Sequence, residues 1–243
     1  MNRFLVLKAV ALALPFWALS SAWGQIDTTI VGHRQYRQVN WTQLTGASVE
    51  QSPDTTCEAV SHQGVVYEVT RIGNQCWFAK SMRATSLADG TWIGNGNADW
   101  ATKSAAGPAF AYSDAKDCFV YNAAAAASLC PSPFRLPNLS DFTTMRSTLM
   151  SEFGLTSSNV ATAIKTPDWG AAYQNYTGWS ARSAAYNYNL NADGSDAGGN
   201  GHYRAEANKY MRTRGGGGTG VIDLISTSVD AAYGMQVRCV KTW

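Results

Sequence analysis

Apolar positions along this chain fall into several distinct rhythms. An unbroken apolar run from Ala9 to Leu19 follows Arg3 and Lys8 and leads into Ala22-Trp23-Gly24. That is the pattern of a secretory signal over residues 1–24, cut before Gln25, because the run is too short to span a bilayer. Residues 25–56 are polar, carry the short β-like patches TTIVG and YRQVNW, and read as an extended leader able to add a strand to a sheet. A domain over 57–243 is expected to follow. In GVVYEVTRIGNQCWFAK, β-branched and aromatic residues alternate with others on both sides of IGNQ, which predicts a hairpin turning at Gly73-Asn74. The Gly/Asn/Asp-rich LADGTWIGNGNADWATKSAAGPA predicts loop.

The rhythm then turns helical. Residues 115–129 contain five consecutive alanines, Ala123 to Ala127, and carry the strongest local helix signal in the chain. Pro131, Pro133 and Pro137 end that helix. Asn138 is placed to cap the next one, with Asp141 at its third position, and Phe142, Met145, Leu149 and Phe153 line one face before the stop at Gly154. From Gly178 the chain reads as short strands and Gly/Asn/Asp loops. The closing GMQVRCVK alternates as a strand does, with Met235, Val237 and Cys239 on one side.

Composition narrows the classes of partner. Removing Arg3 and Lys8 from the 19 basic residues leaves 17 against 17 acidic, so the exported form is formally neutral. Bulk charge therefore argues against a nucleic-acid or anionic-membrane partner. Five cysteines, Cys57, Cys76, Cys118, Cys130 and Cys239, all lie beyond the signal, where disulfides persist, and the odd count leaves one thiol over. No Cys-x-x-Cys occurs and His33, His62 and His202 are scattered, a poor pattern for zinc.

Five segments occur in a telling order: VTRIGNQCWFAKSM, AAAASLCPSPFRLPNLSDF, AIKTPDW, GWSAR and GMQVRCVK. Their order and spacing resemble the Fibrobacter succinogenes major paralogous domain, from about Cys57 to Lys241. The resemblance implies an α+β, C-type lectin-like fold, with two helices packed on a small twisted antiparallel sheet, long irregular loops and disulfide staples. It also implies a bridge from Cys130 to Cys239, joining the second helix region to the last strand. Cys76 departs from the family pattern. Its partner is expected to be Cys57, which leaves Cys118 over, with Cys118 as the rival partner.

Catalytic patterns mostly fail. GGGGTG at 215–220 formally satisfies a dinucleotide motif but precedes the strand-like VIDLIS instead of joining a strand to a helix, so it reads as a loop. Gly178-Trp179-Ser180-Ala181-Arg182 lacks the second glycine of a nucleophile elbow. Asp168, Asp193 and Asp196 could serve a hydrolase, but nothing in the sequence sets their geometry. In NLNADGSDAGGN, Asn189, Asn191, Asp193 and Gly194 match the early positions of a calcium loop, yet Asn200 stands where a bidentate Glu is needed. A weak calcium site on Asn191, Asp193 and Asp196 is the one metal site the pattern offers.

Tyr186, Asn187, Tyr188, Asn189, His202, Tyr203 and Arg204 can form a face where rings stack on sugar or peptide and amides bond to hydroxyls. Strand alternation, with some of the rings packed inward, accounts for the same residues. The expectation is a secreted or cell-surface, non-catalytic binding module for a glycan or protein ligand, with the loops between Gly178 and Gly220 as its recognition surface. A surface-appendage subunit that self-associates through residues 25–56 is the alternative, and an extracellular enzyme the third reading.

Overall fold

The computed structural model describes residues 27–31, 34–38, 56–113, 117–166, 175–182, 200–214 and 220–243. The chain divides into two units, Met1–Ser52 and Pro53–Trp243. In the first, β1 (Asp27–Val31) and β2 (Arg34–Gln38) pair antiparallel, from Asp27 opposite Gln38 to Val31 opposite Arg34. The expected signal, residues 1–24, lies outside the described residues.

The second unit is α+β, built on small and mostly antiparallel sheets. β3 (Val60–His62) pairs with β4 (Val65–Tyr67), and β5 (Val69–Ile72) turns through Gly73-Asn74 into β6 (Gln75–Phe78). Gly73 has φ +59, a left-handed conformation that glycine adopts without a Cβ clash. The β3-β4 pair and the sheet holding β5-β6 are separate, and β7 (Gly94–Asn95), β8 (Ala109–Ser113) and β9 (Cys118–Tyr121) form another three-stranded sheet, the second of that size, with β7 parallel to β8. The third comprises β10 (Gly201–Arg204), β11 (Tyr210–Thr213) and β12 (Ile222–Ile225). The final strand, β13 (Val240–Thr242), pairs with β6, so the order at the centre is β13-β6-β5.

Helix α1 (Trp100–Ala106), helix α2 (Ala123–Ala126) and helix α3 (Leu139–Phe153) complete the second unit, with a 3-10 turn at Val160–Ala163. Two expectations are corrected here. Among the described residues, the strong helix signal over 115–129 is realised only from Ala123 to Ala126, because Cys118-Phe119-Val120-Tyr121 pairs with β8 and Asn122 caps a helix that begins only at Ala123. Tertiary strand pairing overrides alanine propensity wherever β-branched and aromatic residues supply an alternative. Conversely, 100–106 is a helix where loop is expected. Its Asp99 cap accepts from Thr102 N at 3.2 Å, and its one buried side chain, Trp100, donates Nε1–H to Ala232 O at 2.9 Å.

The central sheet separates two apolar cores. Cys76, Phe78, Val237 and Cys239 face one, with Tyr67, Met82, Tyr121, Leu129 and Phe134. Trp77, Ile72 and Val240 face the other, with Phe142, Met145, Leu149, Trp179 and Tyr203. All four β6 residues are therefore buried, as expected of a strand covered on both faces. Phe153, the last member of the expected apolar face of α3, is instead exposed and stacks on Tyr176.

Disulfides join Cys57 to Cys76 and Cys130 to Cys239, and buried Cys118 lies outside both. Beside Cys130, Arg135 and Val240 exchange two backbone hydrogen bonds of 2.9 Å, so the step into α3 is fastened to the last strand twice. Asn138 Oδ1 accepts from Asp141 N at 3.0 Å, and Asp141 Oδ2 accepts from Asn138 N at 2.7 Å. The same carboxylate takes both ends of the Arg135 guanidinium, at 2.7 and 2.8 Å. RLPNLSD is thus a helix cap and an ion pair in one.

Candidate anion-binding cleft

Register places the charged residues of β11 and β12. Antiparallel pairing sets Arg212 opposite Asp223, with Met211 opposite Leu224 and Thr213 opposite Ile222. Strand alternation then buries Met211, Thr213 and Ile222 and turns Arg212 and Asp223 outward. Asp223 Oδ2 accepts from Arg212 Nη2 at 2.8 Å and from Arg214 Nε at 2.6 Å. A third arginine, Arg146, arrives from α3 and points Nη1 at Ile222 O, a long 3.5 Å, while its Nε is buried without a hydrogen-bond partner. Together with Ser157 and Ser158 these groups line an open cleft of about 690 Å³.

Charge in this cleft is unbalanced. The described lining residues include three guanidinium groups and one carboxylate, which pairs with two of them, Arg212 and Arg214. Burial works to raise the Asp223 carboxyl, but hydrogen bonds from Arg214 and Arg212, then their charges, hold it below the usual carboxylate range. Asp223 is therefore ionised at neutral pH and can offset only one of the three cations. Arg214 keeps about half its side chain in solvent, 52 %, so its outer face is open to a ligand. Beneath it, the buried Lys165 donates Nζ to Arg214 O, and burial lowers the Lys165 pKa to about 8. Arginine forks suit carboxylate, sulfate and phosphate oxygens.

The sequence-expected recognition residues are distributed otherwise. Tyr186, Asn187, Tyr188 and Asn189, and the calcium candidates Asn191, Asp193 and Asp196, lie outside the described residues, as do Asp168 and 215–219. His202, Tyr203 and Arg204 are described and buried, which corrects the expectation that they present an exposed face. β10 is an interior strand: it pairs with β11 on one side, and on the other Arg204 N donates to Gln236 O and Gln236 N to His202 O. Alternation sends Tyr203 into the core, 4.8 Å from the Trp179 ring, with its hydroxyl donating to Arg182 O and accepting from Arg182 N. Ser180 hydrogen-bonds to Gly178 O and Asn175 Nδ2, contacts that hold a turn.

Arg146, Arg212, Arg214 and Asp223 escaped the sequence reading because they sit on α3, β11, the segment after it and β12. Only the spacing of Arg212 and Arg214, two apart in a strand-like segment, hinted at a shared face. Among the described residues no three His, Cys, Asp or Glu side chains gather as a metal site would require, and no helix is long and apolar enough to cross a membrane. Comparison with known proteins finds no family model, no curated protein and no solved structure that matches this chain.

Proposed function

We propose that the chain is an exported, non-catalytic recognition module, a member of the Fibrobacter succinogenes major paralogous domain with a C-type lectin-like arrangement, whose ligand is an acidic glycan. One observation carries the reading: Arg146, Arg212 and Arg214 line one open cleft in which Asp223 is the single carboxylate among the described lining residues. A cleft with surplus, solvent-facing guanidinium recruits carboxylate or sulfate groups. Two disulfides suit an oxidising compartment, as the signal-like N-terminus does. The Tyr/Asn tract at 186–189 ends 12 positions before β10, the neighbour of β11, and supplies rings and amides of the kind sugars stack on and bond to.

The test is binding of the purified protein to a sulfated glycan, a polyuronate and a neutral glucan across a salt series, together with an Arg212→Gln/Arg214→Gln variant. Preference for the acidic polymers, weakened by salt and reduced about tenfold or more in the variant, supports the reading. Equal binding to the neutral glucan, undiminished binding in the variant, or turnover of the polymer overturns it. Selective capture of acidic proteins in place of glycans would reassign the ligand class.

A second reading, the appendage subunit, is favoured by the leader. β1 and β2 pair only with each other among the described sheets, and a lone two-stranded hairpin is marginal in water unless a third strand joins it. Deleting 25–56 separates the readings, since assembly is lost under the second while glycan binding survives under the first.

A further inference from the structure

Two buried arginines of the second unit are treated differently by the fold. Arg238 is packed against Trp179, with its guanidinium carbon 4.1 Å from the ring centroid, and each of its nitrogens has an acceptor: Ser81 Oγ, Phe78 O, Ala79 O and Ser180 O. Arg204 is equally buried, at 1 % exposure, yet only its Nη2 has an acceptor, Tyr233 O, while Nε and Nη1 have none. Burial lowers the Arg204 pKa to about 10, with the charge of Asp230 as a weak offset, so the group is still cationic at neutral pH. A buried guanidinium with two idle donor nitrogens is costly unless something supplies the missing acceptor.

Arg204 lines a cleft of about 390 Å³, distinct from the arginine cleft on β11 and β12, with Ala123 of α2, Ala127 just after it, and with Phe134, Leu136 and Glu206. Its volume is at the small end of the range for pockets that hold a compact molecule. Phe134 and Leu136 give it apolar wall. Arg135, also at the cleft, is already engaged by Asp141, which leaves Arg204 as the cation with unused donors. Two consecutive non-glycine residues of the lining, Ala207 and Asn208, hold left-handed φ values of 55 and 56. Each costs on the order of 1 kcal/mol, and such strain persists where surrounding contacts enforce it. Here Ser228 Oγ donates to Ala207 O and Val229 N to Asn208 O, so this part of the lining is fastened to the segment at 228–229.

We infer that this cleft is a binding site for a small monocarboxylic acid, its carboxylate drawn to Arg204 and a hydroxyl or ammonium on its body donating to Glu206. One guanidinium with unused donors, beside the Glu206 carboxylate and with Arg135 already paired to Asp141, favours a monoanion over a dianionic phosphate. Sugar acids and amino acids share this chemistry, and the inference does not depend on acidic-glycan recognition at the other cleft.

The experiment is titration of the purified protein with acetate, D-glucuronate, L-alanine and glucose, read by calorimetry and amide NMR shifts, using wild type, Arg204→Met, Ala127→Leu, Glu206→Gln and the Arg212→Gln/Arg214→Gln variant. Dissociation constants on the order of millimolar or tighter are expected for glucuronate or alanine, with acetate weaker and glucose silent. Arg204→Met and Ala127→Leu each weaken the favoured acid about tenfold or more, Glu206→Gln does so less, and the double variant leaves it unchanged. Ala127 is exposed at the rim of α2, so its substitution fills the cleft in a folded protein even if Arg204→Met does not fold. Preference for glucuronate assigns a sugar acid, and preference for alanine an amino acid. Absence of binding by every carboxylate, equal binding of glucose, or full affinity in Ala127→Leu overturns the assignment.

Discussion

At the scale of single residues, this molecule is set apart by cations taken out of water. Arg238 shows how such a charge is made tolerable. A planar fork reaches three carbonyls on two segments, Phe78 and Ala79 on one and Ser180 on the other, while its face lies on Trp179, and burial still lowers its pKa to about 10. Lys165 is the more informative probe, because its depressed pKa of about 8 falls in an accessible range. Between that value and the ordinary lysine value of 10.5, the unfolded chain holds more protons on this lysine than the folded chain does, so stability rises with pH across the interval. Unfolding by urea should therefore show a gain of up to about 1 kcal/mol from pH 7 to pH 9 in wild type, and none in Lys165→Met. A flat wild-type profile, or the same gain in the variant, would refute the assignment. None of this was legible in the sequence, where Lys165 and Arg238 look like ordinary surface cations, because burial is created by segments far apart in the chain.

At the scale of elements, legibility followed the locality of the interactions. The α3 boundaries were readable because every determinant lies within a few residues: Asn138 and Asp141 at the start, the spacing of Phe142, Met145 and Leu149, and Gly154 at φ +62 at the end. Replacing Asn138 by Ala should cost about 1 kcal/mol in denaturant unfolding, and Asp141→Asn more, since it also breaks the pair with Arg135. If Asp141→Asn proved the milder of the two, the dual role of that carboxylate would be wrong. Helix α1 escaped the reading because its anchor, Trp100 bonded to Ala232, is tertiary. The alanine run misled for a related reason. Propensity is a sum over neighbours, whereas Cys118–Tyr121 was claimed by a strand partner at Ala109–Ser113.

Across the whole molecule, the two disulfides act on loops of very different size. Cys57 and Cys76 are 19 residues apart and Cys130 and Cys239 are 109 apart. In the chain-entropy view they stabilise by about 3 and about 5 kcal/mol, so the pair Cys130→Ala/Cys239→Ala should lower stability more than Cys57→Ala/Cys76→Ala. Thermal unfolding of the two variants checks the order. The reverse order would mean that the hairpin bridge secures the core more than the bridge spanning the domain. The long bridge also holds the step into α3 against β13, and with it the wall that Phe134, Leu136 and Cys130 contribute to the Arg204 cleft.

By itself the sequence determined the local grammar of this protein: the hairpin at Gly73-Asn74, the capped helix α3, the strand-like ending, and a cysteine set rich enough for staples. Those features depend on neighbours one to four residues away, and such neighbours are visible in a string of letters. Tertiary structure decided which charges are buried and which meet. Arg146, Arg212 and Arg214 share a cleft because a helix and two paired strands converge there, and Tyr203 and Arg204 are interior because β10 is covered on both edges. Burial and charge clustering are properties of surfaces that form only when distant segments pack, so only the folded chain could assign them.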